Sequence, residues 1–263
     1  MKKIIIKINP EFKSLNKFIN ELDKNFDKGG DTIKDHRNII KIFNWDDTLV
    51  CVKNFGRLTL FNRWAYGTFR ESKAKRSYDY ALKLLNLGIN SPSPIAYIDK
   101  FSKYNVLQYS SYICVYESNT EVLEDIINSS TYSDEDKKSI ISQYIKLINA
   151  KFLNNGITSR DFNSGNALVT KKGNGQYDFS FVDLNRLEFK KECKTRYIYK
   201  MLSNISPNDN IIKYVSEAYA ELNNLEASEV KYEIYKSIKK RYKIHIIKSF
   251  FRSFLKPFKK KRK

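Results

Sequence analysis

The stretch from residue 156 to residue 183 constrains this chain most. Gly156-Ile-Thr-Ser-Arg-Asp-Phe-Asn-Ser-Gly-Asn-Ala-Leu-Val169 sets Asp161 and Asn166 five positions apart between short apolar runs. A further run, Phe179-Ser-Phe-Val-Asp183, ends on another carboxylate. The apolar runs read as strands and the Asn-Ser-Gly between them as a turn. Lys171-Lys-Gly-Asn-Gly175 reads as the hairpin that returns Asp183 to the side of Asn166. Phosphoryl transfer to a hydroxyl needs this set: one carboxylate to accept the proton, and oxygen ligands for Mg²⁺. Asp161 suits the first role, Asn166 and Asp183 the second. A polar turn between two strands would show the same residues, so the order of the other functional groups must decide.

That order is the one found in kinases. Ile39–Phe43 and Leu49–Phe55 read as paired strands, and Lys53 lies within the apolar Val50–Phe55 run, placed to contact the α- and β-phosphates. Ser72 can cap a helix that runs to Leu87 and stops at Gly88, with Ala74, Tyr78, Ala81, Leu82 and Leu85 as its apolar face. Asp79 sits at its centre and is the expected carboxylate partner of Lys53, with Glu71 the competitor. Val106–Tyr109 and Tyr112–Tyr116 read as a hairpin, and Glu117–Thr120 as the hinge that meets adenine. Ser133-Asp-Glu-Asp136 starts a long helix leading to the Asp161 loop. No G-x-G-x-x-G loop is present, and Gly29-Gly30 is the one candidate for a phosphate-covering turn. Ser159 stands where the catalytic-loop motif has His, and Leu184-Asn185-Arg186 follows Asp183 in place of Phe-Gly. Neither replaced residue carries the chemistry.

Charge separates body from tail. The chain of 263 residues carries a formal net charge of +19. Twelve Lys or Arg and no acid fall in residues 239–263, which leaves +7 for the rest. A strongly basic end implies an anionic partner, while the mildly basic body argues against a dedicated nucleic-acid binder. Ile247, Phe250, Phe251, Phe254, Leu255 and Phe258 recur at helical spacing, with Lys248, Arg252 and Lys256 opposite and Lys259–Lys263 wholly basic. This pattern suits a helix lying on an anionic membrane surface, above all over Phe254–Lys263, while a last core helix with a solvated basic end suits Ile244–Phe251 equally well. No apolar run has transmembrane length. The three cysteines (Cys51, Cys114, Cys193) have no metal-ligand spacing and suit a reducing compartment.

Six stretches together resemble a family, the bacterial lipopolysaccharide core kinases of the Kdo/heptose kinase (WaaP-like) group. They are Arg37-Asn38, Val52-Lys53, Ser72-Lys-Ala-Lys-Arg-Ser-Tyr-Asp-Tyr-Ala81, Leu87-Gly-Ile-Asn-Ser-Pro-Ser-Pro-Ile-Ala-Tyr97, Arg160-Asp-Phe-Asn-Ser-Gly-Asn166 and Val182-Asp-Leu-Asn-Arg186. The resemblance covers nearly the whole chain except the tail. It implies an α+β, two-lobed protein-kinase-like fold, with an antiparallel-sheet N-lobe (residues 1–116) and a mostly helical C-lobe (117–238), followed by the basic tail (239–263). It also implies ATP and Mg²⁺ as cofactors, a sugar hydroxyl of a lipid-linked core saccharide as acceptor, and a cytoplasmic enzyme peripheral to the inner face of the inner membrane. In that reading Asp161 and Lys53 are catalytic, Lys53, Asp79, Asn166 and Asp183 bind the nucleotide, and Asn166 and Asp183 hold the metal. A kinase of another small hydroxyl compound or of protein, and an inactive nucleotide-binding module, stay open.

Overall fold

The computed structural model describes residues 3–56, 58–159 and 161–259. The chain forms two compact units, the first comprising residues 1–120 and Phe179–Arg186, the second Glu121–Asp178 and residues 187–263. The division falls after Thr120 rather than Tyr116, and it gives the segment around Asp183 to the first unit. Residues 239–259 continue a helix of the second unit.

The first unit is built on six antiparallel strands: β1 (Lys3–Ile8), β2 (Asp31–Asp35), β3 (Ile39–Trp45), β4 (Thr48–Asn54), β5 (Pro94–Phe101) and β6 (Leu107–Val115). Their order across the sheet is β1-β5-β6-β4-β3-β2. Helix α1 (Asn16–Asn25) lays Phe18, Ile19 and Leu22 against Val50, Val52, Ala96, Ile98 and Ile113 on one face. Because strand side chains alternate, Cys51 and Lys53 of β4 point to the opposite face. Helix α3 (Lys73–Asn86) covers that face, with Tyr78 packed edge-on against Tyr97 at 5.5 Å. Between β4 and α3 lies α2 (Leu60–Thr68), in a connection rich in basic and aromatic residues; Arg57 of that connection lies outside the described residues.

One expectation fails here. Leu107–Val115 is one strand rather than a hairpin of Val106–Tyr109 and Tyr112–Tyr116, since Ser110 and Ser111 are both buried and the Ser110 hydroxyl is held by Asp99. The turn lies upstream, where Asn105 takes a positive φ of 57° and joins β5 to β6. The glycine at position 30 is demanded by packing, because a Cβ there would meet the Phe43 ring at 2.7 Å. It precedes β2 with a positive φ of 78°.

A buried polar knot fixes α3 to the sheet. Asp99, on β5, is 3% exposed and accepts hydrogen bonds from Ser72 Oγ at 2.6 Å and Ser110 Oγ at 2.7 Å. Ser72 also caps α3 by accepting from the Lys75 amide at 2.9 Å.

The second unit is mostly helical. It holds β7 (Glu121–Val122), α4 (Leu123–Asn128), α5 (Asp134–Leu147), β8 (Ile157–Ser159), β9 (Ala167–Gly173), β10 (Gln176–Phe181, whose end enters the first unit), β11 (Leu187–Phe189), α6 (Thr195–Leu202), α7 (Asp209–Asn223) and α8 (Ala227–Lys259). Ser133 and Asp136 close a reciprocal capping box on α5. That helix widens into a π-type turn over Ile148–Leu153 before the Asp161 loop. Helix α8 runs unbroken across the boundary expected at residue 238, and Ile244, Ile246 and Ile247 are exposed on it. The side chains from Phe250 to Lys259, with Lys248, and the whole of Lys260–Lys263 lie outside the described residues. No helix among the described residues is long and apolar enough to cross a membrane.

Replacing Asp99 by alanine would leave two buried hydroxyls without their acceptor and should destabilise the protein by about 2–3 kcal/mol. Burial pushes the Asp99 carboxyl above its ordinary range, against the opposing hydrogen bonds from Ser72 and Ser110. A raised folded-state pKa means a stabilising contribution that is fully present below the unfolded pKa and lost as pH rises through the folded one. The Asp99→Ala deficit, read from urea melts, should therefore be larger in the acid range than at neutral pH. A deficit that is small or independent of pH would contradict this account of the knot.

Candidate active site

In the first unit, Lys53 and Asp183 come together. Lys53 Nζ lies 2.6 Å from Asp183 Oδ1, across 130 positions of chain. Lys53 reaches the contact because β4 is a central strand and the residue faces α3. Asp183 reaches it through three anchors on its own segment. The Phe181 amide donates to Asn90 O at 3.0 Å. Ser180 Oγ donates to Glu117 Oε1 at 3.1 Å. Arg76, on α3, donates to Asn185 O at 2.7 Å. Asn185 is itself buried and donates to Asp183 Oδ1 at 2.6 Å.

Asp183 takes a positive φ of 57°, the left-handed region that Asp tolerates better than most side chains. Such a conformation persists where its surroundings over-determine it, and these anchors do so. Burial opposes ionisation of Asp183, but Lys53, with Arg186 and Lys73, outweighs it and holds the carboxyl below its usual range. Both Lys53 and Asn185 use Oδ1. Among the described residues no hydrogen-bond donor engages Oδ2, so one carboxylate oxygen can take a hard cation.

In the second unit, the Asp161–Asn166 loop is held at its middle and its ends. Phe162 is buried against Tyr144 and Phe152, with ring centroids 6.1 and 5.7 Å away. Ser164 Oγ donates to Ile205 O at 2.7 Å. Asn166 Nδ2 donates to Asp161 O at 2.8 Å, which closes the loop across its five residues and fixes the orientation of the amide. Ser159, in the place of the motif's His, accepts from the Asp161 amide at 3.2 Å and so braces the loop from β8. Gly165 is there for space, since a Cβ would come within 2.6 Å of Glu124 Oε2.

Asp79 does not meet Lys53. Its carboxylate binds Lys75 at 2.7 Å and lies 3.7 Å from Lys7 of β1, while Glu71 binds Lys75 at 2.6 Å. Helical geometry explains the correction. The buried stripe of α3 is Lys73, Ala74, Ser77, Tyr78, Ala81 and Leu84, which leaves Asp79 on the flank toward β1.

The group on that stripe that the sequence reading passed over is Lys73. It is 8% exposed, and its ammonium sits 5.4 Å from the centroid of the Phe55 ring, as Lys53 does at 5.5 Å. Burial, then Arg37, Arg186 and Lys53, push its pKa down to about 8, against the pull of Asp183. The signal was available in the spacing, since Lys73, Ser77 and Ala81 recur every fourth residue.

No family model matches the sequence, and no curated protein matches it. Among solved structures the chain is similar to WaaP in complex with acyl carrier protein, with a TM-score of 0.61 at 14% sequence identity. The match covers 89% of this chain and 98% of that one. The fold is that of WaaP. At this identity the likeness to WaaP is one of fold, and the chemistry rests on the residues above.

Proposed function

We propose that the protein is an ATP-dependent kinase that phosphorylates a sugar hydroxyl, Kdo or heptose, of lipopolysaccharide core. The observation that carries this reading is the Lys53–Asp183 pair, formed in a chain that has the WaaP fold and a closed Asp161–Asn166 loop. Asp161 accepts the proton of the attacking hydroxyl as that oxygen bonds to the γ-phosphorus and the bond to the departing ADP oxygen breaks. Lys53 orients the phosphates. Asn166 and Asp183 are the proposed Mg²⁺ ligands, an amide oxygen and a carboxylate oxygen of the type hard cations prefer. No group of three or more His, Cys, Asp or Glu side chains among the described residues forms a metal cage. Such a pair suits a magnesium that takes its remaining ligands from phosphate and water. When bound, the ion neutralises charge on the transferring phosphoryl group.

Asp161→Asn should lower turnover on core saccharide by roughly 10²- to 10⁴-fold while ATP binding persists. Unchanged turnover would contradict the assignment. A second reading has its own support: α3 gives Lys53 no carboxylate, since Asp79 is held by Lys75. An inactive nucleotide-binding module would bind ATP and transfer nothing to any hydroxyl tested.

The exposed isoleucines of α8, continuous with the basic end, suit reversible docking on an anionic leaflet beside a lipid-anchored acceptor. Each Lys or Arg near such a surface contributes about 1 kcal/mol. Deleting residues 248–263 should abolish most binding to phosphatidylglycerol-containing vesicles, and added salt should weaken what the full chain shows. Equal vesicle binding by the full and shortened chains would end that part of the proposal.

A further inference from the structure

Lys73 presents a physical problem that the residues around it do not solve. The side chain is buried, yet its ammonium makes no hydrogen bond or ion pair with any described residue. A buried charge is costly unless paired, and the face of Phe55 is a weak substitute for an anion. The neighbouring charges make the problem worse. Arg37, before β3, Lys53, on β4, and Arg186, after Asp183, all act on Lys73 as repelling cations, and Asp183 is the carboxylate that opposes them. Asp183 is already committed at 2.6 Å to Lys53 and at 2.6 Å to Asn185. Two ammonium groups, Lys53 and Lys73, thus stand 5.5 and 5.4 Å from the centroid of one ring, Phe55, and the carboxylate beside them is engaged by Lys53.

The ammonium of Lys73 is also not sealed in. The enclosed side-chain polar atoms without a partner, among the described residues, are Tyr109 Oη, Ser111 Oγ and Glu217 Oε2. Lys73 is the first residue of α3, directly after its capping Ser72. The helix therefore adds the positive end of its dipole at the same place.

We propose that Lys73 is a phosphate-binding residue, a second cation beside Lys53 that takes an oxygen of a nucleoside triphosphate's β- or γ-phosphate. This rests on the kinase reading of the same site and adds a second lysine to it. It also gives a reason for the missing carboxylate on α3. The stripe position that faces the site carries a cation for the ligand, where a carboxylate would instead have served Lys53.

The experiment is calorimetric titration of the full chain with inorganic tripolyphosphate and with ATP, both free of divalent metal. Lys73→Met should weaken both ligands by roughly 10- to 100-fold, the loss expected for a charge-assisted hydrogen bond. Lys73→Arg should stay within about threefold of the wild type, because the charge and a donor remain. Lys231→Met, on α8, should change nothing. Lys73→Met should also melt at or above the wild-type temperature, since it removes an unpaired buried charge. That result separates lost binding from lost fold. Should Lys73→Met fail to fold, Lys73→Gln carries the same expectation for affinity. Unchanged affinity in the neutral variants, or no uptake of tripolyphosphate by the wild type, overturns the inference. The two proposals fail separately. Normal ATP affinity of Lys73→Met in a protein that still phosphorylates saccharide removes Lys73 from the site and leaves the kinase. Tripolyphosphate bound as tightly as ATP, lost in Lys73→Met, with no transfer to any hydroxyl, keeps the anion site and removes the kinase.

Discussion

An ammonium 2.6 Å from a carboxylate, Lys53 against Asp183, is the contact on which the rest of the first unit depends. Lys53 must leave the α1 face of the sheet to make it, and strand alternation from Val50 and Val52 enforces that. Asp183 must be delivered by a segment that has run through the second unit and returned. Hydrogen bonds from Phe181, Ser180 and Arg76 tie that segment down within a few residues of the carboxylate. A left-handed aspartate held this firmly is an expense the fold accepts at one position, and the position carries a candidate metal ligand.

The pair also sets the electrostatics around it. With Asp183 ionised and engaged, Lys53 is neutralised, while Lys73 has no ion pair among the described residues. On the proposal above, Lys73 is the cation that an anionic ligand would meet. A polyphosphate would meet that charge where Asp79 and Glu71 do not, because both are held by Lys75 on the far flank of α3.

Much of this was legible in the sequence, for identifiable reasons. The Lys53, Asp161, Asn166 and Asp183 order could be read because each lies in or beside a short apolar run whose strand character is unambiguous. The α3 boundaries followed from Ser72 as cap and Gly88 beyond the end, and the structure places the helix at Lys73–Asn86. What could not be read was rotation and pairing. The apolar stripe left the helix phase uncertain by one position, and that one position separates Asp79 from Tyr78. The strand Leu107–Val115 was split because Ser110 and Ser111 look like turn residues until Asp99, eleven positions from Ser110, is seen accepting the Ser110 hydroxyl. Lys73 was passed over because lysine is common in this chain, and a buried lysine differs from a solvated one only in three dimensions.

The central claim is that Asp183, held by Lys53, is a ligand for the metal of a bound nucleotide. Its most direct test is the ATP affinity of the full chain with and without Mg²⁺, compared between the wild type and Asp183→Asn. The account predicts that Mg²⁺ tightens ATP binding in the wild type and has little effect in Asp183→Asn, because the amide cannot supply the anionic oxygen. An equal Mg²⁺ response in both proteins, or none in the wild type, would contradict it.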